Sequence, residues 1–441
     1  MTASLADPPV PSLRHTPEAA ITPRARVLFI NDTARNGGPG RSLHSILKFL
    51  DPAVVHRTVV LPRGGAVADL LSRDGVVDEL HLEPDLVENP IEPWARPMGR
   101  RDFDAPAALK LVRLAGNAVK ATRAIARLTS FVRRGRFDLI YCNGTNADFA
   151  GGALARTTGV PALWHVRYTS VPRAVGPLHD RLAASAGVRR IVCVSRSAAA
   201  LFPRCAGKVT VVHNALDVAD FDPAVVTPSL RRELGLSADA VVFGSHGRVL
   251  RRKGYVELAR AARVALDRMS PDERARMAFV VVGDTPEDFR QDHVAECRAL
   301  AGELGLGPAF RMMGFRPDVR PLVADFDVAV VPSVYADPLP RSVIESMALG
   351  RPVVAFDVGG VAEMLDGESG ALVPFEPARH AVGASDASVE RLAEAIVRYA
   401  RDPALRVRQG AAARRRVLQD FDARAHARRI QEEIVRAAGL A

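Results

Sequence analysis

The stretch "DVAVVPSVYADPLPRSVIESMALGRPVVAFDV", Asp327 to Val358, decides how the chain folds. It opens on a short apolar run (327–333) and closes on another (352–358). Between them, a loop with two prolines leads into a helical pattern. Val343, Ile344, Met347 and Ala348 share one apolar face at helical spacing. Strand, helix, strand, with continuously apolar strands, is the unit of a buried parallel sheet. Pro340 suits the first helical turn, where its missing N–H would have had no partner. The N–H groups of Arg341, Ser342 and Val343 are then expected free at the helix start. Asp337 stands just ahead of them, and Glu345 about a turn and a half inside the helix. Such a pair suits an ordinary helix start with a surface glutamate. It suits equally a clamp for one polyhydroxylated ligand.

The same alternation runs along the whole chain. Further strands are expected at 26–32, 56–62, 137–144, 161–167, 189–195 and 208–214, then at 240–247, 278–284 and 309–315. Helical segments are expected at 41–50, 107–134, 253–269, 287–304 and 389–402. These strands exceed one comfortable sheet, and the polar, proline-bearing "VADFDPAVVTPSL" after "VVHNALD" is the natural break. The expectation is α/β: two Rossmann-like, doubly wound domains facing across a cleft, with a C-terminal helix. Residues 1–23 read as a mobile tail, 24–217 as the first domain and 218–239 as a linker. Residues 240–415 read as the second domain, and 416–441 as a helical segment packing back toward the first.

Composition narrows the classes. At 441 residues the chain is too long for one ordinary core. Lys and Arg number 60 against 50 Asp and Glu, a net charge of +10 that favours anionic partners. The basic runs lack interleaved aromatics, so nucleic acid is not expected. The segment before Arg24 has no apolar core, so no secretory signal is expected there. The four cysteines form no CxxC pair, which points away from zinc and disulfides and toward a reducing, cytoplasmic setting. The basic, amphipathic 109–137 reads as a packed helix or as a contact with the anionic inner face of a membrane.

In open α/β sheets ligands sit beyond the carboxyl ends of strands. After the first strand, Gly37, Gly38 and Gly40 form either a phosphate-binding turn or a tight strand-to-helix turn. No third fingerprint glycine and no Walker lysine accompanies them. His165 and Arg167 end another strand, and His165 reads as a cleft residue or a satisfied core histidine. In "GRVLRRKG", Arg248 and Lys253 suit an anion site beside a helix start, or a solvated basic turn. Glu363, after Gly359 and Gly360, reads as a first-turn carboxylate.

These motifs together resemble a known family. "DPLPRSVIESMALGRPVVAFDVGGVAEML" is similar to the donor-binding signature of retaining family 4 glycosyltransferases (glycosyl transferases group 1), which have the GT-B fold. "GRVLRRKG", "FRPDVRPLVADFDVAVVPS", "VVHNALD" and "NGGPGRSL" resemble the family's basic loop, preceding helix and strand, linker and glycine loop. The resemblance implies transfer of a sugar from a UDP- or GDP-sugar, with retention, to a glycan, lipid-linked or small-molecule acceptor. It implies Glu345 on the donor ribose, Asp337 on the transferred sugar, and Arg248 and Lys253 on the diphosphate. The helix start, with Leu339, Arg341, Ser342 and Val343, would bind the donor, and Gly37, Gly38 and Gly40 would approach its phosphates. His165 would lie on the acceptor side. No metal and no cofactor beyond the nucleotide-sugar co-substrate is implied, and no protein nucleophile. Asp337 departs from the family's usual glutamate and reaches about 1.5 Å less far. A GT-B epimerase acting on a UDP-sugar, or a non-catalytic nucleotide-sugar-binding module, are the alternatives.

Overall fold

Every strand expected from the apolar runs forms, and the strands pair in parallel. The structure is a computed structural model describing residues 24–34, 37–87, 107–286, 291–379 and 382–440. The tail expected over 1–23 lies outside these residues, as do the first positions of the helical pattern at 287–304.

The first sheet contains β1 (Ala25–Asn31), β2 (Val55–Leu61), β3 (Glu79–Leu82), β4 (Leu139–Asn143), β5 (Ala162–Val166), β6 (Val188–Cys193) and β7 (Val209–Val211). Its order is β3-β2-β1-β4-β5-β6-β7. The second contains β8 (Val241–His246), β9 (Met277–Val282), β10 (Phe310–Met312), β11 (Val328–Val331), β12 (Val353–Phe356) and β13 (Gly370–Val373), in the order β10-β9-β8-β11-β12-β13. Both sheets reverse strand order at one point, β1/β4 in the first and β8/β11 in the second. Loops leaving the sheet there part to opposite sides and open a crevice at the carboxyl ends.

Two strands are absent from the sequence expectation, and both are edges. In β3, "ELHL" is half polar and none of its residues is buried, as suits a strand at the sheet edge. In β13 the first residue is Gly370, where a Cβ would stand 2.1 Å from the Val353 carbonyl oxygen. A side chain there would block pairing with β12.

Helix starts differ as well. The first helix begins at Gly38, not 41, with Gly37 as N-cap and Pro39 in its first turn. The helix expected from 253 begins at Tyr255, after a tight turn Arg251–Lys253. Helix Pro403–Asp420 runs through position 416, and the chain turns at Phe421 instead. Helix Ala423–Ala438 then packs Ile430, Ile434 and Ala437 into the first sheet's core beside Val27, Phe29 and Tyr141. Each of the two isoleucines contributes about 1.5–3 kcal/mol by its burial. The chain therefore crosses between the halves twice. The crossings lie side by side, with Leu216 N–H donating to the Phe421 carbonyl at 3.1 Å and Ala423 N–H to that of Leu216 at 2.9 Å.

Candidate active site between the two sheets

A cavity of about 540 Å³ lies between the carboxyl ends of the two sheets, lined from both halves. That volume is in the range of small-ligand sites. Its second-half wall is the loop and helix that follow β11. Helix Arg341–Ala348 buries Val343, Ile344, Met347 and Ala348 against the sheet, which aims its start at the cavity. Pro340 is the N-cap rather than a first-turn residue. Its carbonyl accepts the Val343 N–H at 3.1 Å, so Val343 is not free as expected, and its side chain lies in the core. The N–H groups of Arg341 and Ser342 have no partner among the described residues. Both residues line the cavity, as does Leu339.

Glu345, one turn on, is buried, with Oε2 2.9 Å from His246 Nε2 and Oε1 accepting from Arg341 Nε at 3.2 Å. Burial pushes its pKa up, but the His246 hydrogen bond and the Arg341 charge outweigh it, and the carboxyl titrates at about 2. Asp337 Oδ2 accepts from Lys253 Nζ and from the Tyr335 hydroxyl, both at 2.7 Å. Burial opposes its ionisation too, and Lys253 prevails, holding the carboxyl below its usual range. Lys253 in turn is raised, Asp337 outweighing its own desolvation. The Arg252 guanidinium covers the Tyr335 ring at 4.8 Å. The two acids of the motif thus face one cavity, each held ionised by a base on the loop or strand end of β8. Arg248 lines the same cavity.

Glycines place these loops. A Cβ on Gly254 (φ +76°) would stand 1.7 Å from the Pro332 carbonyl oxygen, so only glycine lets the Lys253 turn lie against β11. Gly360 donates its N–H to the Asp337 carbonyl at 2.8 Å, and a Cβ there would meet the Pro338 carbonyl oxygen at 1.9 Å. The paired glycines, Gly359 and Gly360, seat the Asp337 loop, whose backbone a Cβ on either would strike.

On the first-half wall, Gly37 and Gly38 line the cavity, but Gly40 does not. Gly40 faces the neighbouring helix, where a Cβ would meet Val67 at 2.6 Å, so it is a packing glycine. His165 does not line the cavity either. His165 lies within β5, whose residues are buried on both faces of the sheet. It is fully buried, with Nδ1 bonded to the Tyr141 hydroxyl and its ring stacked on His426. Burial, then Arg167 and His426, push its pKa far down. Arg167, two residues on, reaches the cavity instead.

The halves also meet directly. Thr169 Oγ1 donates to the Ala336 carbonyl at 2.5 Å, and Asn214 Nδ2 to that of Leu339 at 3.2 Å. Glu363 caps a helix of the other half, accepting the Arg196 N–H at 2.8 Å and that of Ser197 at 3.1 Å, not its own first turn. His246, Tyr335, Thr169 and Asn214 are site residues that the sequence reading did not weigh. Only position at or after a strand end marked them. Among the described residues no group of three or more His, Cys, Asp or Glu is placed to hold a metal ion.

Comparison with known proteins agrees with this geometry. The family described as "Glycosyl transferases group 1" matches residues 240–402, and "Glycosyltransferase Family 4" matches 36–220. The alpha-maltose-1-phosphate synthase of Mycolicibacterium smegmatis is 31% identical over 243 residues, 54% of this chain and 58% of that protein. The D-inositol 3-phosphate glycosyltransferase of Kribbella flavida is 33% identical over 211 residues, 47% of this chain and 46% of that protein. The chain thus matches about half the length of these relatives. The Anabaena protein HepE, solved with UDP and glucose, shares the fold with a TM-score of 0.71 at 22% identity, covering 93% of this chain and 99% of that one. With one family matched in each half, the chain belongs to the group 1, family 4 glycosyltransferases of GT-B fold.

Proposed function

We propose that the protein transfers a sugar from a nucleoside-diphosphate donor to a hydroxyl acceptor, with retention at the anomeric carbon. The observation that carries this is the helix start at Arg341, two N–H groups with no partner among the described residues, flanked by two ionised, buried carboxylates and a basic loop. Glu345 accepts from the ribose hydroxyls. Asp337 accepts from hydroxyls of the transferred sugar. The Arg341 and Ser342 amides, with Arg248 and Lys253, take the diphosphate and the charge that grows on it as the glycosidic bond breaks. Fixed cations and amides supply that stabilisation without a metal ion. The acceptor hydroxyl approaches from the first-half wall, on the leaving-group face. The UDP in the HepE structure supports a uridine donor, with GDP-sugars the other choice. Binding and turnover of a UDP-, GDP- and ADP-sugar panel test the reading, and failure to bind any donor refutes it.

We also propose peripheral contact with anionic membrane through helix Ala107–Gly135. It carries Lys and Arg with no acid and exposes Leu109, Leu111, Val112 and Val119. Among the described residues no helix is long and apolar enough to cross a membrane. Co-sedimentation with acidic vesicles at low salt is the expected result, and its absence rejects the contact.

A further inference from the structure

Among the described residues Arg167 is a cation with no acidic hydrogen-bond partner. It follows β5 and lines the cavity from the first half. Its Nε donates to Asn143 Oδ1 at 2.7 Å and its Nη1 to Asn214 Oδ1, while Nη2 lies 3.4 Å from His165 Nδ1. All three partners are uncharged or held neutral. The amides are themselves fixed: Asn143 Nδ2 donates to Asn31 Oδ1 at 2.5 Å and to the Pro39 carbonyl at 3.2 Å, and Asn214 to Leu339. Asn31, Pro39, Asn143, Asn214 and Leu339 thus converge from five segments to orient one guanidinium without neutralising it. The nearby carboxylates are already engaged, Asp337 by Lys253 and Glu345 by His246 and Arg341. Burial, with the smaller effect of the Arg341 charge, lowers the Arg167 pKa to about 10, still protonated at neutral pH. Holding a cation this way costs folding free energy unless an anion arrives. A planar fork with donors to spare is suited to a phosphate or carboxylate.

The proposed donor site already supplies its diphosphate with cations and amides from the second half. Arg167 stands on the other wall, where the acceptor enters. We propose that Arg167 binds an acidic group, phosphate or carboxylate, of the acceptor, so that the second substrate is an anionic sugar or polyol and not a neutral glycan. This rests on the glycosyltransferase reading above.

The test uses the full chain and its Arg167→Gln and Arg167→Lys variants, with melting curves to confirm folding. Each protein is titrated calorimetrically with UDP and GDP, then, with the bound nucleotide saturating, with inorganic phosphate, glucose 6-phosphate and glucose. The expected result is that nucleotide affinity changes less than about 3-fold in Arg167→Gln. Phosphate and glucose 6-phosphate should weaken by about 10- to 100-fold, the scale of one lost charged hydrogen-bond pair. Arg167→Lys should fall between, keeping the charge but not the fork. Glucose should bind no better than about a tenth as well as glucose 6-phosphate to the wild type. The proposal is overturned if the nucleotide-saturated wild type ignores phosphate, or if Arg167→Gln leaves phosphate binding unchanged. It is overturned too if the loss falls on UDP or GDP, which would assign Arg167 to the donor diphosphate. If the wild type binds no nucleotide at all, the parent reading fails first, a separate and visible outcome.

Discussion

Removing Lys253 should strand a buried carboxylate. Lys253 Nζ and Asp337 Oδ2 are 2.7 Å apart, with both side chains mostly buried. At an effective dielectric near 20, two unit charges at that distance attract by about 6 kcal/mol. Desolvation of both groups offsets much of this, yet deleting one partner of a buried pair typically costs about 3–5 kcal/mol. Lys253→Met is therefore expected to destabilise by that amount at neutral pH. The pH dependence fixes the sign. In the wild type the Asp337 pKa is depressed, so its stabilisation is present above its ordinary range and lost as pH falls. Without Lys253, burial raises that pKa, so the penalty is full at neutral pH and relieved as the carboxyl protonates. The wild-type–variant gap should narrow from pH 7 to about pH 4. Asp337→Asn and the double variant complete a cycle, in which Lys253→Met should cost far less when Asp337 is already Asn. Urea midpoints for the four proteins at both pH values give the coupling. A coupling under about 0.5 kcal/mol, as for an exposed pair, would refute the buried-pair reasoning.

Glu345→Gln should weaken nucleotide binding about 10-fold or more, because an amide replaces the ionised carboxylate proposed to accept from two ribose hydroxyls, measured by titration with UDP and GDP. The same change should remove an acid-stability segment. The Glu345 pKa falls from 4.5 to about 2, so its contribution, about 3 kcal/mol, is intact above pH 4.5 and lost toward pH 2. A variant whose stability still falls in parallel with the wild type over that window would show that Glu345 is not so held. Asp337→Glu lengthens the acid by about 1.5 Å and should alter donor choice or rate; a variant unchanged in both would show that Asp337 does not touch the sugar. His165→Asn should lower the melting temperature while leaving donor KM within about 3-fold, since the ring lies in the core behind the cavity wall. A selective loss of kcat with unchanged stability would return His165 to the site.

What the sequence made legible follows from periodicity. Buried parallel strands are continuously apolar, so β1, β8 and β11 stand out, and with them the two-sheet architecture. The edge strands β3 and β13 do not, because β3 is half polar with no buried residue and β13 begins with glycine. Asp337 and Glu345 were legible as a pair because the helix between them has a clear apolar face. Their bases were less so. Lys253 was read as a phosphate cation, and its bond to Asp337 depends on a glycine turn packed against another strand. Val343 illustrates a finer limit, since a first-turn N–H is free only until the N-cap carbonyl bends to accept it. His165 and Arg167, two positions apart, would share a face if the strand continued through both. The residue that looked catalytic points inward, and its companion two positions on lies past the strand end, where the chain leaves the sheet. Contacts between the halves, such as Thr169 with Ala336, join residues far apart in sequence and leave no local pattern.

The central claim is that the helix start at Arg341, with Asp337, Glu345 and the Arg248–Lys253 loop, holds a nucleotide sugar. Titrating the wild-type chain and Glu345→Ala with a UDP-, GDP- and ADP-sugar panel, with product detection, addresses it most directly. The account predicts that one donor class binds and transfers its sugar with retention, and that Glu345→Ala abolishes both while the protein stays folded. A folded wild-type chain that binds none of the panel, or a Glu345→Ala variant that binds and transfers as well as wild type, would contradict it.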